Sequence, residues 1–144
     1  MLLFGKSSIN NEFFRTARLL RQSMRPNGVI LIIDDDLDIR DCLCESLRRR
    51  GKEARAVSSL TAAKEAIEEI GHENIACVSI DIGMPDGDGV EFSKWLKTNY
   101  PDIPFVVYTG KNKYAIERLL KAADVETDVV EKGTPSELLT ALGI

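Results

Sequence analysis

Four places along this chain carry side chains that could do chemistry together: the run Asp34-Asp35-Asp36, then Asp81, Thr109 and Lys132. The acidic run follows directly on Val29-Ile30-Leu31-Ile32-Ile33, Asp81 closes the apolar stretch Ile75 to Ile80, Thr109 follows Phe105 to Tyr108, and Lys132 lies just beyond Val129-Val130. Crowded carboxylates repel one another, and a fixed cluster is costly unless a cation or protons relieve it. Taken alone, the aspartate run also has a plainer reading as a solvated acidic loop. If the four places meet at one edge, they assemble three carboxylates, a hydroxyl and an ammonium. That set is rich in oxygen and lacks imidazole and thiolate, so it suits a hard divalent cation such as Mg²⁺ rather than zinc. A carboxylate beside such a cation and a lysine can act as a nucleophile toward phosphorus, because the two positive charges offset the repulsion of an incoming phosphoryl group.

The elements that must position these groups are legible between residues 29 and 141. Apolar strands alternate with helix-length amphipathic segments, a pattern that favours a parallel sheet covered on both faces. The first strand, Val29 to Ile33, is apolar at every position, as a strand buried on both faces requires. Asp36 or Asp38 can cap a helix that carries Ile39, Leu43 and Leu47 on one face, with Gly51 as its stop. A weaker strand around Ala54 to Val57 leads through Ser58-Ser59 to a helix with Ala63, Ala66, Ile67 and Ile70, closed by Gly71. After the third strand, Met84 to Gly89 reads as a loop, and Val90, Phe92, Trp95 and Leu96 mark the next helix, with Trp95 assigned to packing. Pro101 and Pro104 bracket the entry to the fourth strand, and a helix through Ile116, Leu119 and Leu120 precedes the fifth. Thr134-Pro135-Ser136-Glu137 forms a capping box for a short last helix. In open α/β sheets, ligands bind beyond the carboxyl ends of the strands, where all four reactive places fall.

Composition narrows the classes of function. A chain of 144 residues, 44% hydrophobic, accommodates one domain with a proper core and a short extension. Its net charge of −4 offers no general attraction to nucleic acid, and no direct DNA binding is expected. Cys42, Cys44 and Cys77 form no Cys-x-x-Cys pair, and His72 is the sole histidine, so a structural zinc site is not expected. Cys42 and Cys44 read as small packing residues in a reduced, cytoplasmic setting. No apolar run approaches the roughly 18 residues of a membrane span, and Met1-Leu2-Leu3-Phe4 is too brief for a signal-peptide core.

The stretches Ile30 to Asp36 with Ile39-Arg40, Asp81-Ile82-Gly83-Met84-Pro85-Asp86-Gly87-Asp88-Gly89, Tyr108-Thr109-Gly110 and Lys132 give the chain a specific likeness. In their order and spacing, across residues 29 to 141, the chain resembles a CheY-like receiver domain of the response regulators of two-component signalling. The resemblance implies a doubly wound, five-stranded parallel α/β sheet in the order 2-1-3-4-5. It implies that Asp81 accepts a phosphoryl group from a histidine kinase or a phosphotransfer protein. Asp35 would bind Mg²⁺ directly and Asp34 partly through water, with Asp81 and the carbonyl of Gly83 completing the protein ligands. Thr109 would donate to a phosphoryl oxygen, and Lys132 would pair with Asp81 before transfer and with the phosphoryl group afterwards. Asp36 lies outside this set and reads as a cap or a surface charge. Such a domain is a signalling module, not a metabolic enzyme, and would pass its state to a downstream protein target by a population shift of its surface. With no output domain following, a stand-alone switch or a phosphorelay intermediate is expected.

Several positions depart from the family pattern. Val129 stands where many members place an aromatic that swings inward on activation. Gly133 follows Lys132 in place of the common proline, which removes the ordinary reason for a cis bond there. The last helix is shorter than usual. A Mg²⁺-dependent phosphohydrolase with an aspartyl nucleophile is an alternative, but it wants an acid catalyst two residues after the nucleophile, where Gly83 stands. A degenerate receiver acting as a constitutive interaction module is another, favoured by Val129 and Gly133 and opposed by the complete acidic set. Gly83 and Lys111, beside the site, bear on phosphoryl lifetime, expected to be measurable rather than seconds.

Residues 1–28 form a separate extension. Ile9, Phe13, Ala17, Leu20 and Met24 recur at helical spacing, with Arg15, Arg18, Arg21 and Arg25 largely on the other side, and Pro26-Asn27-Gly28 ends the segment. This amphipathic helix is expected to pack on the domain or on a second copy, and a homodimer could also use the last two helices. Contact with an anionic membrane surface is the less favoured reading, since four net charges support only modest binding.

Overall fold

The computed structural model describes residues 27–133, 135–142 and 144. The expected N-terminal helix and Thr134 of the capping box therefore lie outside the described residues. Five parallel strands form the main sheet: β1 (Val29–Ile33), β2 (Glu53–Val57), β3 (Ile75–Ile80), β4 (Phe105–Thr109) and β5 (Val129–Glu131). Their spatial order is β2-β1-β3-β4-β5, as the resemblance implied. Helices α1 (Leu37–Arg49), α2 (Leu60–Ile70), α3 (Gly89–Asn99), α4 (Lys113–Ala122) and α5 (Pro135–Ala141) connect or follow the strands.

The alternation of side chains along β1 explains the two-sided packing. Ile30 and Ile32 face a layer built from Leu43, Cys44 and Leu47 of α1 and Leu138 and Leu139 of α5. Leu31 and Ile33 point the other way, against Leu60, Ala63 and Ile67 of α2 and Phe92 and Leu96 of α3. All four strand residues are at most 1% exposed, and each such side chain contributes about 1.5–3 kcal/mol by leaving water. β1 is thus the central rib from which Asp34 projects. Beyond β4, Ile116 and Leu120 of α4 pack with Val107 and Val129.

Helix ends follow the local chemistry of the sequence. Asp36 caps α1 by accepting from the amides of Asp38 and Ile39, which settles its role as a cap. Ser59 caps α2, Asp88 caps α3 and Asn112 caps α4 in the same way. Gly51 and Gly71, which follow α1 and α2, have φ of 74° and 89°, a left-handed region that favours glycine.

Two packing expectations need correction. Cys44 is buried, but Cys42 is exposed, because two residues along a helix turn the side chain away from the core. Leu119 is 53% exposed, since the inward stripe of α4 is centred on Ile116 and Leu120 and leaves Leu119 on its outer flank. Trp95 packs as expected, 5.3 Å from the Phe92 ring, with the ammonium of Lys64 over it at 4.6 Å. No peptide bond among the described residues is cis, including the one after Lys132.

Candidate metal and phospho-acceptor site

The carboxyl ends of the sheet bring the four reactive places together. Asp34 continues β1, and its amide bonds to the carbonyl of Val57 at the end of β2. Its carboxylate is 2% exposed and held at both oxygens, one accepting from the amide of Asp36 at 2.9 Å and the other meeting Lys132 Nζ at 2.6 Å. Asp81 continues β3 and is anchored by its amide to the carbonyl of Ile33. Lys132 Nζ lies 3.1 Å from Asp81 Oδ2, so one ammonium bridges two buried carboxylates. Asp35 adds a third, exposed carboxylate, and one oxygen from each aspartate falls within 4.8 Å of the others. Thr109 is fully buried, and its hydroxyl accepts from the amide of Lys111 at 3.0 Å.

Electrostatics follow from this crowding. Burial pushes the Asp81 carboxyl above its usual range, the charge of Asp34 pushes it further, and Lys132 opposes both without cancelling them. Burial alone would lower the Lys132 ammonium, but its bonds to Asp34 and Asp81 outweigh that and hold it above the ordinary lysine value. One lysine is therefore insufficient charge for three carboxylates. The donor set fits Mg²⁺: it is all oxygen, compact, open to water at Asp35 and short of positive charge.

The loop after Asp81 is shaped by backbone proximity. Gly83–Met84 and Gly87–Asp88 form a two-residue antiparallel hairpin, and the amide of Gly89 bonds to the carbonyl of Ile82. A Cβ on Gly89 would sit 2.6 Å from the carbonyl oxygen of Asp81 and from Cα of Ile82, so α3 can start this close to the site only with glycine there. Gly83 leaves room beside the acceptor that Lys111 occupies, its Cε 3.4 Å from where a Cβ would be.

Sequence reasoning did not assign three further contacts. Arg40 Nη1 donates to the backbone carbonyl of Asp34 at 2.8 Å, tying α1 to the acidic run. Asp86 accepts from the amides of Leu60 and Thr61 and from the hydroxyl of Thr61, at 2.9–3.0 Å, which fastens the hairpin to the first turn of α2. Tyr108 places its ring 5.9 Å from Lys132 Nζ. The first joins residues six apart across the start of a helix, and the other two join segments distant in sequence, so none left a periodic signal.

Comparison with known proteins places this arrangement in a family. Residues 30–142 match the response regulator receiver domain. The response regulator protein PilR of Pseudomonas aeruginosa is 33% identical over 116 residues, covering 78% of this chain and 25% of PilR. The chain spans only part of the length of its curated relatives, from 10% of the sensor kinase CckA of Brucella abortus to 56% of FixJ of Bradyrhizobium diazoefficiens. Among solved structures, the chemotaxis protein CheY4 of Vibrio cholerae superposes with a TM-score of 0.71 at 23% identity, over 81% of this chain and 96% of that one. RcsB of Salmonella enterica, bound to a promoter in the presence of the phosphomimetic BeF3⁻, gives 0.68 at 25% identity, over 80% of this chain and 66% of that one. The acidic cluster stands where receiver domains bind Mg²⁺ and are phosphorylated. Because the family match takes in every strand end that contributes to this cluster, the chain belongs to the response regulator receiver domain family, whose members are signalling modules.

Proposed function

We propose that the chain is a phospho-acceptor switch that takes a phosphoryl group onto Asp81 from the phosphohistidine of a histidine kinase or a phosphotransfer protein, in the cytoplasm. The observation that carries this reading is the single ammonium of Lys132 shared between Asp34 and Asp81, within a three-carboxylate cluster. In the transfer, an Asp81 carboxylate oxygen forms a bond to phosphorus as the bond from phosphorus to the imidazole nitrogen breaks, and the imidazole leaves with the electron pair and takes up a proton. Asp34, Asp35, Asp81 and the carbonyl of Gly83 would hold Mg²⁺, which when bound supplies positive charge against the phosphoryl oxygens.

The chain's own residues account for the remaining steps. Lys132 pairs with Asp81 before transfer and follows the new phosphoryl oxygens afterwards, a short move for a flexible stem. Thr109, whose hydroxyl accepts from Lys111 in this state, turns to donate to a phosphoryl oxygen. Contacts that exist only after modification bias the surface between two states, and a downstream protein target reads the result. Val129 is buried in this fold and too compact to swing as an aromatic would, so the change travels through the loops after β3 and β4. The homodimer and the membrane contact suggested for the N-terminal extension remain secondary proposals; among the described residues, no helix is long and apolar enough to cross a membrane.

Incubation with Mg²⁺ and acetyl phosphate, followed by intact mass, tests the reading. The expected result is a gain of one phosphoryl group that persists beyond seconds and is absent in Asp81→Asn. Continuous phosphate release from unrelated substrates would instead indicate a phosphohydrolase, and no modification from any donor would indicate a degenerate module.

A further inference from the structure

Lys132 must reach from the end of β5 across the end of β4 to arrive at Asp34 and Asp81. Its start is pinned, because its amide donates to the carbonyl of Thr109 at 2.7 Å. Its head is pinned by the two carboxylates. Between them lies a four-carbon stem with several rotatable bonds, whose course depends on what it lies against. Gly110 borders the path on one side, where a Cβ would approach Lys132 Cδ at 3.9 Å.

Tyr108 supplies the other side. It is 3% exposed and shares its layer with Val106 and Val130 and with Leu138 and Leu139 of α5, so its phenol is set in an otherwise aliphatic core. Burial pushes its phenol above the ordinary tyrosine value, and the Gly133 backbone beside it draws that value partly back. Glu137 closes over Gly133 from the other direction, its carboxylate oxygen 3.3 Å from where a Cβ would be.

We infer that Tyr108 is a positioning residue for Lys132: its ring underlies the ammonium and, opposite Gly110, fixes the lysine's crossing of β4. The inference rests on the reading of Lys132 as the partner of the acceptor and of the phosphoryl group. The ring face is a weak acceptor of positive charge, so it steadies the ammonium without competing with Asp34 or Asp81. A ring at this place also excludes water from beneath the ion pair.

Two measurements on the full chain test it. The first is the rate of phosphorylation by acetyl phosphate with Mg²⁺ in the wild type and in Tyr108→Leu, each with Lys132 and with Lys132→Met. Loss of the cation–π contact should slow Tyr108→Leu roughly threefold when Lys132 is present and leave the rate unchanged when it is absent. Tyr108→Phe, which keeps the ring, should stay close to the wild type. Equal slowing in both lysine backgrounds would show a general packing role and overturn the inference. The second is NMR of lysine side chains: the Lys132 methylenes should carry a ring-current displacement that Tyr108→Phe keeps and Tyr108→Leu loses. Unchanged Lys132 resonances in Tyr108→Leu would overturn the inference even if phosphorylation proceeds normally. If the wild type accepts no phosphoryl group, the phospho-acceptor reading fails, and the NMR result alone decides whether Tyr108 positions Lys132.

Discussion

Replacing Lys132 by methionine keeps the stem of the side chain and removes its charge, leaving Asp34 and Asp81 buried without their shared cation. At an effective dielectric of about 20, the contacts of 2.6 Å and 3.1 Å correspond to roughly 6 and 5 kcal/mol of gross attraction. Most of this is offset by the cost of desolvating three charges, several kcal/mol each. Removal of one partner from a buried ion pair typically costs about 3–5 kcal/mol, and the 19% exposure of the Lys132 side chain points to the lower end, about 3 kcal/mol. The pH dependence has a definite sign. The Lys132 value is raised on folding, so its contribution is fully present below the ordinary lysine value and is lost only as pH rises through the higher folded one. In Lys132→Met the Asp81 carboxyl, already raised by burial and by Asp34, can be relieved by a proton, so the deficit is largest near pH 7.5 and shrinks toward pH 4. Urea unfolding at both pH values measures it, and millimolar Mg²⁺ should restore part of the loss at pH 7.5 by binding the folded state. A deficit equal at both pH values and indifferent to Mg²⁺ would refute the electrostatic account and assign the effect to packing.

Three further outcomes are expected. Burial raises Asp128 from 3.8 to about 6, and its Oδ2 has no hydrogen-bond partner among the described residues, so its charged form opposes folding at neutral pH; Asp128→Asn should stabilise the fold at pH 7.5 by at most about 3 kcal/mol and have no effect below pH 3.8, as chemical unfolding at the two pH values would show. Gly89→Ala places a Cβ against the backbone of Asp81 and Ile82, and should cost about 1–3 kcal/mol in thermal unfolding while slowing acetyl-phosphate labelling of Asp81. Asp86→Ala removes the acceptor for the Leu60 and Thr61 amides, and hydrogen exchange should quicken at those two positions while the core of α2 stays protected. Those amide bonds hold the Asp86 carboxyl below its usual range, so its contribution is present above the ordinary aspartate value and disappears as pH falls through the lower folded one.

Most of the fold was legible because the chain states its periods clearly. Val29 to Ile33 and Ile75 to Ile80 are apolar at nearly every position, which only a two-sided sheet can satisfy, and both end in the aspartates of the site. Asp36 and the Ser58-Ser59 pair marked where the first two helices begin. Leu119 was misplaced because three apolar residues within five positions do not reveal which of them lies at the centre of the buried stripe. The site's identities were readable from strand ends, but its electrostatics were not: that Lys132 bridges Asp34 as well as Asp81 depends on the distance between β1 and β3, which a linear sequence does not contain.

The bond between Asp86 and the first turn of α2 has a consequence in both directions. It joins a helix that contributes no atom to the acidic cluster to the hairpin that follows the acceptor aspartate. Free-energy coupling is reciprocal, so any partner whose binding alters that turn of α2 changes the hairpin, and through it the energetics of Asp81, by the same factor that modification of Asp81 changes the partner's affinity. A surface remote from the chemistry thereby acquires a say in how readily this domain is charged.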